Sequence, residues 1–211
     1  MILSDKNIQE KLGHSIIIVP FNLKNVNPSS YDVTLGENYY EWNNNLDLTL
    51  YNPYNSEHVS KLWILNKARN CTNDEVKFFG CKPESKIIIV KPRQTILAHT
   101  NEFIGGLGNI TTQMSCRSSF ARNCITVCKC SNTGNQNYIN RWCMEIENCG
   151  PYPVILTVGE RIAQITFINT GETEKFYSGS YQNGNDISFI IKEWKPEMMI
   201  PKLQYDWIYS H

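Results

Sequence analysis

The sequence lacks the features that would place it at once among nucleic-acid-binding or membrane proteins. Its 20 basic and 20 acidic residues cancel to a net charge of zero, whereas binding along a nucleic-acid backbone usually needs a basic excess. It has no apolar run of about 18 residues that could span a membrane. The opening MILSDKNIQEKL carries charges where a secretory signal has its apolar core. We therefore expect no nucleic acid and no membrane as partners, and a location in the cytosol, or in the host cytosol if the gene is viral.

Cysteine is plentiful, but its arrangement predicts neither a metal scaffold nor a disulfide framework. The eight cysteines do not show the paired spacing of a zinc ribbon or of a small secreted domain. A free cysteine usually behaves as a small buried hydrophobe. We expect reduced thiols and no zinc.

Short β-branched and alternating segments, separated by turn residues, dominate what the sequence does contain. Helical periodicity is almost absent, apart from a helix over residues 4–12 that Ser4 would cap and Gly13 would end. Short strands with turn signals every 8–12 residues or so are typical of an all-β barrel or jelly-roll-like fold. The predicted strands span residues 16–19, 30–36, 61–65, 87–91, 94–99, 109–114, 143–148, 154–157 and 161–168.

The segments between these strands predict a loop, an insertion and a hairpin. Residues 37–60 are polar and rich in Asn, which indicates further strand, a turn and a long loop, and residues 70–84 form an insertion. The sequence Val158-Gly159-Glu160 is typical of a tight turn. We therefore expect residues 154–157 and 161–168 to pair as a hairpin.

Residues 116–148 contain the side chains most suited to chemistry. Guanidinium forks and hydroxyls can together surround several phosphate oxygens, although a segment of this kind is by itself more often a solvated turn. Farther along, Glu145 and Glu147 lie two residues apart and so share one face of an alternating strand. Their positions on the strand alone therefore do not show which of the two carboxylates takes part in chemistry. The cationic segment consists of Arg117, Ser118, Ser119 and Arg122.

The order of several motifs resembles the trimeric dUTPase superfamily, and within it the dCTP deaminases and the bifunctional dCTP deaminase/dUTPases. The likeness extends over about residues 1–185, and the ordered series is more specific than any single motif. Its parts are MILSDKNI at 1–8, NPSSYDVTLG at 27–36, Arg117-Ser118-Ser119 with Arg122, Glu145 at the family's spacing from Arg117, GERIAQ at 159–164, and Tyr177 with Tyr181-Gln182 in a C-terminal lid.

This resemblance implies an all-β, dUTPase-like distorted β-barrel, jelly-roll-like, with a short N-terminal helix and an extended C-terminal tail. The barrel domain would cover residues 1–171, the lid residues 172–186 and an aromatic extension residues 187–211. The resemblance also implies a homotrimer with its sites between subunits. The ligand would be a deoxynucleoside triphosphate: dCTP, with dUTP or dTTP as alternatives.

By the same resemblance, deamination of cytosine would proceed through a glutamate without a metal. Zinc deaminases carry H-x-E with P-C-x-x-C, and neither element occurs here. A carboxylate can instead take a proton from water and return it to the leaving ammonia. The resemblance places Glu145 in this role, with Arg122 and Ser118 beside the base and the water. The nucleotide-binding residues would be Arg117, Ser119, Asn135, Tyr138, Gln164, Tyr177 and Gln182, with Mg²⁺ on the triphosphate oxygens and no metal ligand from the protein.

The hairpin that shapes the nucleoside pocket departs from the family pattern. Asn135 stands where the family has Asp, and an amide can bond a sugar hydroxyl but cannot accept a proton from water. Asn132, Asn137 and Asn140 replace glycines, and Asn tolerates positive φ better than most residues. Ser180 stands where many deaminases have a lid lysine. The loss of the Asp at position 135 should harm phosphate hydrolysis more than deamination.

Three functions therefore remain open at this point. The first is a dCTP deaminase that converts dCTP to dUTP and ammonia, a hydrolase of pyrimidine deoxynucleotide metabolism. The second is a dUTPase-like enzyme or one that acts on an altered nucleotide. The third is a catalytically silent relative that senses nucleotides, serves as a structural subunit or binds protein.

The C-terminal extension, residues 187–211, is too aromatic to be an idle tail. Exposed apolar patches usually mark contacts. We expect the extension to pack on its own barrel or on a neighbouring subunit, with docking to another protein as the alternative. Its aromatic residues include Phe189, Trp194, Trp207 and Tyr209.

Overall fold

Antiparallel strands form the framework of the chain. The computed structural model describes residues 1–175, 177–182 and 186–208, without the side chains of Trp207 and Ile208. Expectations for Trp207 and Tyr209 therefore lie outside the described residues.

Most helices are short and lie between or after the strands. The helices are α1 (Asp5–Lys11), α2 (Ser56–Leu62), α3 (Asn73–Phe79), α4 (Ser118–Ala121), α5 (Ile187–Glu193) and α6 (Leu203–Ile208), with 3-10 turns at Leu23–Asn25 and Pro196–Met199. The strands are β1 (Ile16–Val19), β2 (Val26–Asn27), β3 (Ser30–Trp42), β4 (Trp63–Lys67), β5 (Arg69–Asn70), β6 (Lys86–Val90), β7 (Thr95–Gly106), β8 (Ile110–Cys116), β9 (Ile125–Thr126), β10 (Thr133–Gly134), β11 (Ile139–Asn148), β12 (Val154–Thr157) and β13 (Arg161–Asn169).

Two sheets hold these strands. The larger has the order β10-β8-β13-β3-β7-β11-β9, and in addition β1 pairs with β7 while β2 and β4 pair with β3. The long strands β3 and β7 change register along their pairing, which indicates a bulge, and bulges increase the local twist of a sheet. The large sheet curls into half a barrel. The smaller sheet has the order β12-β6-β5.

The core lies inside the curl of the large sheet. Strand β11 shows how the sequence builds it, because Trp142, Met144 and Ile146 are buried while the alternate residues face outward. This period of two is the one expected for a strand with one buried face. Tyr31 from β3 and Phe167 from β13 are the largest fully buried side chains. Among the described helices, none combines the length and the apolar character that a membrane crossing requires.

Several predictions from the sequence are confirmed in detail. Strand β1 has the predicted limits, and α1 begins after Ser4, whose side chain accepts a hydrogen bond from the Asn7 backbone N–H. Gly13 follows that helix with a φ of +79°, a conformation that favours glycine. The strand predicted for residues 30–36 is present, but it continues to Trp42.

The predicted hairpin of residues 154–168 is wrong. Strand β12 pairs with β6, whereas β13 pairs with β3 and β8, so the two strands lie in different sheets. The backbone of the intervening turn explains this, because Gly159 N–H donates to the Leu35 carbonyl at 2.8 Å and Val158 N–H to the Lys86 carbonyl at 2.9 Å. The chain therefore turns a corner from one sheet to the other.

Two helices lie where the sequence predicts loop or insertion. Helix α2 follows Asn55, whose side chain accepts from the backbone N–H groups of Glu57 and His58. Helix α3 has a complete capping box between Thr72 and Glu75. Both caps satisfy N–H groups that have no partner inside the helix, so short helices form within these polar segments.

Gly36 lies within strand β3 and does not end it. The position requires a residue without a side chain. The ring of His99 from β7 packs directly on the Gly36 backbone, and a Cβ at that position would lie 2.0 Å from His99 Cε1. The imidazole is held on both sides, with Nδ1 2.8 Å from the Thr100 carbonyl oxygen and Nε2 accepting from the Asn38 N–H at 3.3 Å. Burial lowers the pKa of His99 to about 4.

We predict that Gly36→Ala lowers the free energy of unfolding by about 1–3 kcal/mol, the usual cost of overpacking a core. Urea unfolding measures this change. Gly13→Ala is the control, because Gly13 has a positive φ but no atom within 4 Å of its added Cβ. If the two variants lose the same stability, contact with His99 is not the reason for glycine at position 36.

Candidate active site

A pocket of about 580 Å³ lies on the outer face of β7 and β11. It contains a mixture of polar groups and aromatic rings, the combination expected of a small-molecule site. Its walls come from the sheet, from residues 129–138 and from the C-terminal part of the chain. The lining residues are Trp42, Trp63, Thr95, Leu97, Lys129, Ser131, Thr133, Asn135, Tyr138, Trp142, Cys143, Glu145, Tyr177, Tyr181, Met199 and Pro201.

Glu145 is the carboxylate of this pocket. It lies on β11 directly opposite Leu97 of β7, on the face that points away from the core. Its Oε2 is buried and has no hydrogen-bond partner among the residues that the structure describes. Burial raises the pKa of Glu145 above its ordinary value, against a smaller lowering by its own backbone N–H and by Lys129. A carboxylate with a raised pKa can both accept and return a proton near neutral pH.

Glu147 shares the face of Glu145 but has a different environment. Lys129 Nζ lies 3.0 Å from Glu147 Oε2, so this second carboxylate has a cation of its own. Lys129 also lines the pocket, with a backbone φ of +33°. Nothing in the sequence pattern indicated Lys129 as a site residue, because its approach to β11 depends on the turn that follows β9.

Three residues predicted to bind the nucleotide line the same pocket as Glu145. The ring of Tyr138 lies 5.0 Å from that of Tyr177 and 5.6 Å from that of Trp142, both in edge-to-face geometry. Asn135 is exposed at the pocket wall. Asn135, Tyr138 and Tyr177 are therefore brought together with Glu145 within one chain.

The predicted lid residue Gln182 contacts the nucleoside hairpin. Its Oε1 accepts a hydrogen bond from the Ile139 N–H at 2.6 Å, and its Nε2 donates to the Asn137 carbonyl at 2.8 Å. The neighbouring Tyr181 carbonyl accepts from Asn140 Nδ2 at 2.7 Å. These bonds hold the described part of the lid against the start of β11.

The cationic segment lies elsewhere on the chain. Ser118 and Ser119 are exposed in helix α4, and Arg122 is exposed just after it. Ser119 and Arg122 line a second pocket of about 570 Å³ together with Pro151 and Tyr152. One chain therefore does not bring Ser118, Ser119 and Arg122 into the pocket of Glu145.

Arg117 is tied to a buried acid that the sequence did not single out. Asp32 has a side chain only 4% exposed, and its Oδ2 lies 3.4 Å from Arg117 Nε and 3.2 Å from an Arg161 guanidinium nitrogen. Arg117 also donates to the Arg161 carbonyl at 3.0 Å. Gln164, predicted to bind phosphate, pairs with Asp32 across β13 and β3. Arg117 and Arg161 thus share one carboxylate, and Gln164 lies opposite its residue on the neighbouring strand.

The described side chains do not form a metal site of their own. Within the described ranges, no group of three or more His, Cys, Asp or Glu residues is placed to hold a metal ion.

Comparison with known proteins defines the family. A family model described as dCTP deaminase-like matches residues 2–170, and the chain belongs to this family. The resemblance inferred from the motifs is thereby confirmed.

Curated relatives of similar length carry one shared description. The chain is 29% identical over 197 residues to a "dCTP deaminase, dUMP-forming" of Clostridium acetobutylicum, a match that covers 92% of this chain and 99% of the relative. It is 30% identical over 170 residues to the protein of the same description from Methanocaldococcus jannaschii, covering 79% and 81% of the two chains.

The fold has a solved counterpart. The crystal structure of 2′-deoxycytidine 5′-triphosphate deaminase from Agrobacterium tumefaciens matches with a TM-score of 0.55 and 16% identity, over 79% of this chain. The chain spans about half the length of that solved chain, of which 47% is covered. The predicted all-β, dUTPase-like fold class is confirmed.

We predict that Glu145→Gln raises the melting temperature at neutral pH. Because the folded state raises the pKa of Glu145 above the ordinary 4.5, the wild-type protein loses stability as pH rises from about that value through the raised pKa. The variant has no carboxylate to ionise and keeps that stability. Thermal melts between about pH 4 and pH 8 measure the difference, which should vanish at the acid end.

The exposed Glu172 provides the control, since Glu172→Gln should leave the melting temperature unchanged over the same range. Equal melting curves for Glu145→Gln and the wild type at every pH would show that the Glu145 carboxylate is well solvated.

Proposed function

We propose that the protein deaminates dCTP to dUTP and ammonia, with Glu145 as general base. The observation that carries this proposal is the half-buried Glu145 carboxylate, whose Oε2 lacks a hydrogen-bond partner among the described residues, in a pocket with Asn135, Tyr138 and Tyr177. A buried acceptor without a donor is costly to a fold. It is therefore best explained by a ligand or water that donates to it during function.

The reaction needs one water and conserves every atom. Glu145 takes a proton from water, and the resulting hydroxide bonds to C4 of the cytosine ring. The proton passes from Glu145 to the exocyclic amino group, the C4–N bond breaks, and ammonia leaves. The electron pair of the C4–N3 double bond moves to N3 when the hydroxide adds, and N3 receives the second proton from the new hydroxyl, so that the uracil ring carries its C4 carbonyl and its N3–H. Both transfers suit a carboxylate whose pKa burial has raised.

We further propose that the complete site is shared between subunits of a homotrimer. The support is the separation described above: Glu145 and the nucleoside residues line one pocket, while Ser119 and Arg122 line another. Arg117, Ser119, Gln164 and Gln182 would bind the triphosphate, with Mg²⁺ on its oxygens, while Ser118 and Arg122 of a neighbouring subunit would face the base. A cytosolic location belongs to the same proposal.

A second candidate is a reaction that continues to dUMP and pyrophosphate. The curated relatives favour it by their description as dUMP-forming. Asn135 argues against it, because an amide cannot take a proton from a hydrolytic water. Deamination without hydrolysis is therefore the function that the residues of this chain support best.

The test is to incubate the purified protein with dCTP and Mg²⁺ and to measure ammonia and pyrophosphate separately. We expect ammonia without pyrophosphate, and we expect Glu145→Gln to release neither while it still binds dCTP in a thermal-shift assay. Pyrophosphate in equal amount would establish the dUMP-forming reaction instead. Full activity of Glu145→Gln would remove Glu145 from its role.

The shared site predicts complementation between two inactive variants. Glu145→Gln and Arg122→Ala should each be inactive alone, whereas co-expressed mixed trimers should regain part of the wild-type rate. In a mixed trimer, an intact Glu145 can meet an intact Arg122 from a different chain. Mixtures as inactive as the separate variants, at a mass that confirms a trimer, would mean that each chain carries its own complete site.

Asp32 should act on nucleotide binding through the arginines. We predict that Asp32→Asn raises the KM for dCTP about tenfold, equivalent to about 1.4 kcal/mol, with little change in kcat. Arg117 and Arg161 would lose the carboxylate that fixes their orientation. Asp74→Asn on α3 is the control and should leave both constants unchanged. A fall in kcat with an unchanged KM would contradict a role in positioning the phosphate-binding arginines.

A further inference from the structure

The C-terminal extension crosses the face of the sheet that carries Glu145. We refer to residues 194–201 as the tail segment. At one end, Trp194 lies over the outer face of β7 and β11. At the other end, Met199 and Pro201 line the Glu145 pocket. The tail segment therefore forms part of the site wall, although no family motif pointed to it.

Trp194 is the anchor of the tail segment. Its ring lies 4.7 Å from the Arg141 guanidinium carbon and 4.7 Å from the centre of the His99 ring. Phe103 packs edge-on against the indole and also contacts Arg141, at 5.0 Å. A partly buried guanidinium in contact with two aromatic rings is a favourable cation–π arrangement.

Met199 packs against the immediate neighbours of Glu145. It is 4% exposed and packs with Tyr40 and Leu97 in a small apolar cluster to which Cys143 also belongs. Leu97 is the residue directly opposite Glu145 on β7, and Cys143 is two residues before Glu145 on the same face. The side chain of Met199 therefore covers the sheet right beside the carboxylate.

The residue that follows the tail segment, Lys202, contacts the lid. The Lys202 N–H donates to the Tyr181 hydroxyl at 3.2 Å, and Lys202 Nζ lies 5.2 Å from the centre of the Tyr181 ring. Lys202 Nζ donates to the Ser180 carbonyl as well. Lys202 thus bonds to the lid at Ser180, which stands where many deaminases have a lid lysine.

The chemistry of cytosine indicates which edge of the ring Met199 would face. The reacting carbon, C4, lies between N3, which accepts hydrogen bonds, and C5, which carries only hydrogen. A ring that lies edge-on to Leu97, Cys143 and Met199, with C4 beside Glu145, turns one of these two edges toward them. This apolar set offers nothing to N3, and it matches the C5 edge.

We propose that Met199 is the residue that determines specificity at C5 of the pyrimidine ring, held in place by the docking of Trp194 on Arg141. This inference rests on the proposed deamination of dCTP and adds a substrate class to it. Wild-type protein accepts an unsubstituted C5 and excludes a methyl group there. Removing the Met199 side chain opens that space.

The experiment compares dCTP with 5-methyl-dCTP as substrates of the wild type, Met199→Ala and Met198→Ala. The ratio of kcat/KM for 5-methyl-dCTP to that for dCTP should rise about tenfold in Met199→Ala, a typical value for one methyl group in an apolar pocket. Met198→Ala is the matched control, because Met198 does not line the pocket, and its ratio should equal that of the wild type. An unchanged ratio in Met199→Ala overturns the proposal.

A second experiment tests the anchoring role of Trp194 by cysteine labelling, which does not depend on catalysis. Trp194→Ala should release the tail segment, so that Cys143, whose Sγ lies 3.9 Å from the Met199 carbonyl, becomes reactive toward N-ethylmaleimide in peptide mass spectrometry. The selectivity ratio should rise in this variant as well. Protection of Cys143 equal to that of the wild type would show that Trp194 does not anchor the tail segment.

Failure of the proposed function can be told apart from failure of this inference. If the wild type releases no ammonia from dCTP, deamination is wrong, and thermal shifts by dCTP and 5-methyl-dCTP then decide the inference. A larger shift by dCTP in the wild type, with equal shifts in Met199→Ala, supports the role of Met199. Equal shifts in both proteins, or no shift with either nucleotide, overturn it.

Discussion

The pairing of β7 with β11 is the constraint on which the rest of the structure depends. Its register places Glu145 opposite Leu97 and sends Met144 and Ile146 into the core. Because side chains alternate along a strand, a slip of one residue would turn both carboxylates of β11 inward. The apolar residues of β11 therefore fix the position of its acid. The tail segment and the lid then pack on the face that this register presents.

Buried acids in this protein fall into two kinds. Asp32 forms ion pairs with two guanidinium groups. Glu102 accepts hydrogen bonds from the N–H and the hydroxyl of Thr34, at 2.9 and 2.8 Å. Such carboxylates hold strands and arginines in place. Burial raises the pKa of both Glu102 and Glu145, but Glu145 differs because its buried Oε2 has no donor among the described residues. The fold compensates the acids that support the structure and leaves uncompensated the one that the proposed reaction uses.

The sequence predicted those secondary-structure elements that depend on interactions between residues close together in the chain. Strand β11 follows from its alternation, and α1 follows from Ser4 as its cap. The capping box at Thr72 and Glu75 was equally visible, and a search for it would have found α3. Partners that are distant in sequence were not predictable: β12 pairs with β6 and not with β13. Likewise, Asp32 meets Arg161 only through the pairing of β3 with β13, and Met199 lines the pocket of Glu145 although it lies 54 residues farther along the chain.

The ends of the large sheet are unusually short. Its outermost strands, β10 and β9, are two residues long each. A long open edge exposes unpaired backbone groups that can recruit a strand from another molecule, the usual route to aggregation. Edges this short offer almost no template for such strand addition. At β10 and β9, contacts between copies would therefore use side chains on the faces and loops, which confers selectivity that backbone pairing lacks.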